Sequence, residues 1–110
     1  MSQDSAVPQV PAAEVPADAF VLDVREADEW EAGHVPGALH IPLGELGARY
    51  LEIDRAGVVY VICRSGNRSD YAARALAGAG WQAHNVSDGM IGWHAAGRTM
   101  MCESGQPFVA

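Results

Sequence analysis

The chain alternates between two hydrophobic patterns. Short apolar runs indicate strands, and the clearest of them, residues 58–62 (VVYVI), is an unbroken series of β-branched and aromatic residues. Such a run is typical of a strand that is buried on both faces of a parallel sheet. Other segments place apolar residues three or four apart, as amphipathic helices do. The predicted strands are residues 7–10, 19–22, 39–41, 58–62 and 81–86, and the predicted helices are residues 27–32, 43–53, 69–79 and 88–93.

Strands that alternate with helices predict an α/β fold with a largely parallel sheet. The 110 residues of the chain fit one domain with a modest core. We assign residues 7–97 to this domain. Residues 1–6 are expected to be a mobile N-terminal segment, and residues 98–110 form a C-terminal tail that has no clear hydrophobic period.

Composition and charge narrow the classes of partner. The net charge is −7 and the sequence contains seven arginines but no lysine. Because nucleic acids and anionic membranes are recognised by basic surfaces, neither is expected as a partner. There is also no long apolar run and no leader pattern at the N-terminus, so we expect a cytoplasmic protein.

The stretch around Cys63 carries the clearest chemical signal. Cys63 ends the central predicted strand, a short polar loop follows it, and a helix is predicted from Ser69. Amide groups at the start of a helix favour an anion, and a thiol held there becomes a nucleophilic thiolate because its pKa falls. Arg64 and Arg68 supply guanidinium groups that can bind an oxyanion. The alternative is that Cys63 is a small apolar residue at the end of a core strand.

The positions of the other candidate residues follow from the same topology. Arg25 lies just beyond the carboxyl end of the predicted strand at residues 19–22, and the carboxyl ends of parallel strands form one edge of a sheet, so we expect Arg25 near Cys63. In the helix at residues 27–32, the acidic residues are expected to face solvent and Trp30 to fill the core. Cys63 and Cys102 show no metal-ligand spacing, and we expect neither a metal ion nor another cofactor.

Three motifs, in this order, resemble the single-domain rhodaneses, which are sulfurtransferases. They are DVREADEWEAGHVPGALHIPL at residues 23–43, VICRSGNRS at residues 61–69, and GMIGW at residues 89–93. The resemblance implies a rhodanese-like α/β fold, with a five-stranded, mostly parallel sheet flanked by helices on both faces. It also implies a six-residue active loop at residues 63–68.

The resemblance further implies a reaction. Cys63 would attack the outer sulfur of thiosulfate, a small anionic donor, release sulfite and hold a persulfide. An acceptor, either cyanide or a thiol, including a thiol on a protein, would then remove the sulfur. Arg25 and Arg68 would hold the sulfonate end of the donor, and Asp23 would brace an arginine or the loop. The loop residues that would bind the charged sulfur or the donor are Arg64, Ser65, Gly66, Asn67, Arg68 and Ser69.

Two other functions stay open from the sequence. Relatives of this fold that cleave phosphate esters or reduce arsenate have a loop one residue longer, with an arginine six positions after the cysteine. Ser69 occupies that position here, which favours sulfur transfer. The second alternative is a persulfide carrier or regulatory module that accepts sulfur without turnover. As a further hypothesis, Cys102 could attack a Cys63 persulfide if the tail folds back.

Overall fold

The computed structural model describes residues 6–103 and 105–110, and within them five strands form one sheet. The strand order is β1-β5-β4-β2-β3, and every pair of neighbouring strands is parallel. This confirms the predicted α/β fold. The strands are β1 (Gln9–Val10), β2 (Phe20–Asp23), β3 (Leu39–His40), β4 (Val58–Ile62) and β5 (Gln82–Val86). The helices are α1 (Ala27–Ala32), α2 (Leu46–Arg49), α3 (Asn67–Gly78) and α4 (Gly89–Ala95).

Strand β4 lies at the centre of the sheet and is covered on both faces. Val59 and Val61 belong to one hydrophobic cluster, which also contains the apolar residues of α3. Ile62 belongs to the other cluster, which contains Met90 and Trp93 of α4. Successive side chains of a strand point to opposite faces, so a strand between two helical layers needs apolar residues at every position. The VVYVI run is therefore explained by burial on both sides.

Two predicted helices differ in extent from the observed ones. The segment 43–53 forms two 3-10 turns, Leu43–Glu45 and Tyr50–Glu52, on either side of the four-residue helix α2. Gly44 and Gly47 lie within this segment, and glycine weakens helices because it loses the most backbone freedom on ordering. Helix α3 begins at Asn67, two residues before the predicted start.

Trp30 was expected in the core and is only half-buried. Its ring lies between those of His34 and His40, at centroid distances of 3.6 Å and 4.7 Å, and both pairs are nearly parallel. Helix α1 has six residues and none of them is buried, so it contributes no side chain to the core. Trp30 instead covers the side of the domain that carries β3.

The C-terminal tail lies against this side of the domain. Met101 forms an antiparallel bridge with His34, and the backbone N–H of Phe108 donates to the carbonyl of Ala32 at 2.9 Å. Val109 packs against the core. Residues 1–5 of the predicted mobile segment lie outside the described residues. None of the described helices has the length and apolar character that crossing a bilayer requires.

The carboxyl end of β2 is held by a buried ion pair. Nε of Arg25 donates to both carboxylate oxygens of Asp23 at 3.0 Å, and Nη2 donates to Oδ2 at 2.8 Å. Nη2 also donates to the carbonyl of Gly33 at 2.8 Å, which connects β2 to the end of α1. Both charged side chains are fully buried.

Replacing Arg25 with alanine should therefore destabilise the domain strongly. The change leaves the Asp23 carboxylate buried without its counter-charge, and losses of this kind cost about 3–5 kcal/mol. Urea unfolding measures the effect. Arg49→Ala is the matched control, since it breaks exposed pairs with Glu45 and Glu52 that solvent screens, and it should lower the free energy of unfolding far less. Equal losses of unfolding free energy in the two variants would contradict this explanation of the ion pair.

Candidate active site

Cys63 lies directly after β4, where the chain turns into α3. The turn depends on Gly66, which precedes α3 and has φ 104°. Side chains rarely adopt this conformation, and a Cβ at this position would also collide with the carbonyl oxygen of Ser87. Glycine at position 66 thus lets the loop turn sharply enough for its amides to face Cys63.

Two groups of the loop and helix donate hydrogen bonds to the Cys63 sulfur. The backbone N–H of Gly66 lies 3.1 Å from Sγ, and the hydroxyl of Ser69 lies 3.2 Å from it. Burial raises the pKa of the Cys63 thiol, but the Ser69 hydroxyl and the nearby backbone amides of Ser69, Gly66 and Ser65, which all favour the thiolate, outweigh this effect. The pKa of Cys63 therefore lies below its ordinary value. A larger fraction of Cys63 is thiolate at neutral pH than in an ordinary cysteine.

Cys63 is also buried, with 1% of its surface exposed, and it borders the hydrophobic cluster below α3. This burial alone would suit a small apolar core residue. However, an apolar core residue has no need of hydrogen-bond donors, whereas Sγ accepts from both a main-chain amide and a hydroxyl. The donors distinguish Cys63 from an inert core cysteine.

The Ser69 hydroxyl has two acceptors within reach. Oγ lies 3.2 Å from Sγ of Cys63 and 2.6 Å from Oδ1 of Asn85, which is buried on β5. Because a hydroxyl has a single proton, it donates to only one of them at a time. With a neutral thiol, the S–H can donate to Oγ while Ser69 donates to Asn85. When Cys63 is a thiolate, the Ser69 hydroxyl donates its proton to the sulfur instead of to Asn85.

Neighbouring elements hold the loop from outside. Nδ2 of Asn85 donates to the carbonyl of Gly66 at 3.1 Å. At the start of α4, the backbone N–H of Met90 donates to the carbonyl of Cys63 at 2.8 Å, and that of Ile91 donates to the carbonyl of Arg64 at 3.1 Å. The GMIGW motif therefore fixes the start of the loop as well as supplying Trp93 to the core.

The three arginines predicted at the site have different surroundings. Arg25 is fully buried against Asp23, so its guanidinium is not exposed at the edge of the sheet. Arg68 donates from Nη1 and Nη2 to the two carboxylate oxygens of Glu29, at 2.7 Å and 2.8 Å. Arg64 is exposed, and its Nε donates to the carbonyl of Ala110 at 3.0 Å. Binding of the sulfonate end of a donor by Arg25 and Arg68 stays a prediction, and both already have carboxylate partners.

A protein-family model described as "Rhodanese-like domain" matches residues 11–96 of the chain. This span is most of the sequence and includes the strand, loop and helix around Cys63. The chain belongs to the rhodanese-like family.

Proteins related to this rhodanese-like domain include sulfur carriers and sulfurtransferases by name. The "Putative sulfur carrier protein YrkF" of Bacillus subtilis is 46% identical over 74 residues, which are 66% of this chain and 40% of that protein. The "Putative sulfurtransferase YtwF" of Bacillus subtilis is 34% identical over 80 residues, covering 73% of this chain and 78% of that protein. The chain thus spans two fifths of the length of the first relative and about three quarters of the second.

Solved structures share the fold. A rhodanese-related protein from Thermoplasma volcanium superposes with a TM-score of 0.82 at 30% identity, covering 87% of this chain and 99% of that chain. A thiosulfate sulfurtransferase from Pseudomonas aeruginosa superposes with a TM-score of 0.77 at 31% identity, covering 94% of this chain but 22% of that chain. The second similarity concerns one part of a longer protein.

Two residues of this rhodanese-like site were missed by the sequence analysis. Glu29 was assigned to a solvent-facing helix surface, but its side chain is only 15% exposed and pairs with Arg68. Asn85 was counted only as part of a strand. The one available signal was its polar amide within a strand that the sheet would bury.

Asp23 was expected to brace an arginine or the loop, and the structure places it against Arg25. Within the described residues, no group of three or more His, Cys, Asp or Glu side chains is placed to hold a metal ion.

Replacing Ser69 with alanine should raise the pKa of Cys63. The variant loses the hydroxyl that donates to Sγ, and this hydrogen bond favours the charged thiolate over the neutral thiol. The pH dependence of iodoacetamide alkylation, measured in a Cys102→Ser background, reports this pKa. Ser69→Thr keeps the hydroxyl and should titrate near the parent protein. An unchanged midpoint in Ser69→Ala would show that the hydroxyl does not stabilise the thiolate.

Proposed function

We propose that this domain is a sulfurtransferase that works through a persulfide on Cys63. It takes sulfane sulfur from thiosulfate or a related donor and passes it to a nucleophilic acceptor, either cyanide or a thiol. Family membership and the relatives support sulfur transfer in general. The observation that carries the proposal is the pair of donors, Gly66 N–H and Ser69 hydroxyl, that face the sulfur of Cys63.

The chemistry follows from a thiolate held among hydrogen-bond donors. The Cys63 thiolate attacks the outer sulfur of thiosulfate, the S–S bond of the donor breaks, and sulfite leaves with the bonding electrons. Cys63 then carries one additional sulfur as a persulfide. An acceptor thiolate or cyanide attacks this outer sulfur and regenerates the Cys63 thiolate. The lowered pKa of Cys63 increases the fraction of ionised nucleophile that is available for the first step.

The same donors favour sulfur transfer over phosphoryl transfer. In the longer loop of the phosphatase relatives, an arginine would stand where Ser69 stands here. Ser69 is buried and its hydroxyl contacts the sulfur itself, whereas Arg68 is turned to Glu29. The hydrogen-bond donors of the loop therefore face an atom that is bonded to Sγ. The loop has no arginine at position 69 to bind a tetrahedral phosphate.

A persulfide carrier without turnover is the second candidate. It is favoured by the 1% exposure of Cys63, which restricts acceptors, and by the likeness to a protein named as a sulfur carrier. Steady-state thiosulfate:cyanide turnover, compared with single-turnover persulfide formation, distinguishes the two. A stoichiometric burst of sulfite without later turnover identifies a carrier, and continued turnover identifies an enzyme.

Sulfur loading should depend on Cys63 alone. After treatment with thiosulfate or with a small alkyl persulfide, intact mass spectrometry should show one added sulfur atom that dithiothreitol removes. Cys63→Ser should add none, because a serine hydroxyl stays protonated under conditions where the thiol ionises. Cys102→Ser is the control and should load one sulfur like the parent protein. Loading that persists in Cys63→Ser, or that is lost only in Cys102→Ser, would place the nucleophile elsewhere.

A further inference from the structure

The positive charge near Cys63 is largely neutralised before any donor binds. Arg25 is buried on Asp23, and Arg68 is held by both oxygens of Glu29. Arg64 is exposed to water, where a charge is screened and contributes little to binding an anion. The hydrogen bonds to Glu29 are the main cause that raises the pKa of Arg68, and the nearby charge of Cys63 adds to this effect.

The Glu29–Arg68 pair is well supported. Its two parallel N–H···O bonds form the bidentate geometry that suits arginine and carboxylate. The Glu29 carboxylate also accepts from the backbone N–H of Glu26 at 2.9 Å, within a capping box at the start of α1. The hydrogen bond from Arg68 is the main cause that lowers the pKa of Glu29 to about 2. Glu29 therefore stays ionised and bonded to Arg68 throughout the physiological pH range.

This pairing affects thiosulfate and alkyl persulfides differently. Thiosulfate carries a sulfonate group whose charge lies away from the sulfur that Cys63 attacks, so the group needs a cation of its own. To use Arg68 it must compete with Glu29, in a chain whose net charge is −7. An alkyl persulfide has no sulfonate, and its reacting sulfur needs only the hydrogen-bond donors that already face Sγ.

We propose that Glu29 is a specificity-determining residue that occupies Arg68, disfavours sulfonate-bearing donors and selects thiol persulfides as the sulfur source. The inference rests on the proposed function and narrows its donor class. In the loading step, the Cys63 thiolate attacks the terminal sulfur of R–S–SH and forms a new S–S bond. The donor S–S bond breaks and R–S⁻ leaves with its electron pair. The Cys63 persulfide keeps the proton until solvent removes it, and no external oxidant or reductant takes part.

The test compares two donors in two matched variants. Glu29→Gln removes the charge that holds Arg68. Glu31→Gln removes the same charge from an exposed position of the same helix. The second-order rate of sulfur loading on Cys63 is measured by quenched intact mass, with thiosulfate and with 2-hydroxyethyl persulfide. The two sulfur donors differ in intrinsic reactivity, so their rates are not compared directly. The ratio of the thiosulfate rate to the persulfide rate is calculated for each variant and compared with the same ratio in the parent protein.

Glu29→Gln should raise the thiosulfate rate by about tenfold or more, as expected when a charged hydrogen-bond donor becomes available. The persulfide rate should change by less than about twofold, which a general disturbance of the loop would not produce. Glu31→Gln should leave the ratio unchanged. In the double variant Glu29→Gln/Arg68→Ala, the gain with thiosulfate should disappear.

Two kinds of result would overturn the inference, and they are distinguishable. If both donors load Cys63 but their ratio is the same in Glu29→Gln as in the parent protein, Glu29 does not select the donor and the sulfurtransferase proposal stands. A gain that survives removal of Arg68 would show that Glu29 does not act by occupying Arg68, and it too would overturn the inference while the sulfurtransferase proposal stands. If neither donor loads Cys63 in the parent protein, the proposed function itself is wrong.

Discussion

The structure depends on the hydrogen bonds that converge on the sulfur of Cys63. A thiolate that is 1% exposed would be strongly disfavoured without compensation, because burial penalises the charged form. The amide of Gly66 and the hydroxyl of Ser69 supply that compensation, and the pKa of Cys63 falls despite its burial. A site of this kind is arranged before the reaction, so little reorganisation is needed when charge appears on the sulfur.

The rest of the domain keeps these donors in place. A strand and a helix beside the loop bind its backbone. Strand β5 provides Asn85, whose amide binds the Gly66 carbonyl. Helix α4 binds the carbonyl of Cys63 through the backbone N–H of Met90. The polar groups buried at this edge thus position the loop.

Local patterns were sufficient to predict the fold and the turn from strand to helix that holds Cys63. The VVYVI run, the glycine at position 66 and the helical period that follows it are neighbours in sequence, and each has one simple structural interpretation. Contacts between distant segments were not predictable in this way. Arg68 and Glu29 are 39 residues apart, and the acidic surface of α1 that contains Glu29 is indistinguishable from a solvated one until the fold brings it to Arg68 at the start of α3. At residues 43–53 the local pattern itself was misleading. The regular apolar spacing predicted one continuous helix, but the segment contains two glycines and forms 3-10 turns around a four-residue helix.

Main-chain amides and the Ser69 hydroxyl should together hold a charged sulfur at Cys63. The most direct measurement is to follow the amide proton resonances of Ser65, Gly66 and Ser69 by NMR as a function of pH, in protein with Cys102 replaced by serine. The account predicts that the three resonances shift together in one titration, with a midpoint below that of the thiol in the unfolded chain. A shared midpoint at or above the unfolded value, or resonances that do not respond as Cys63 ionises, would contradict it.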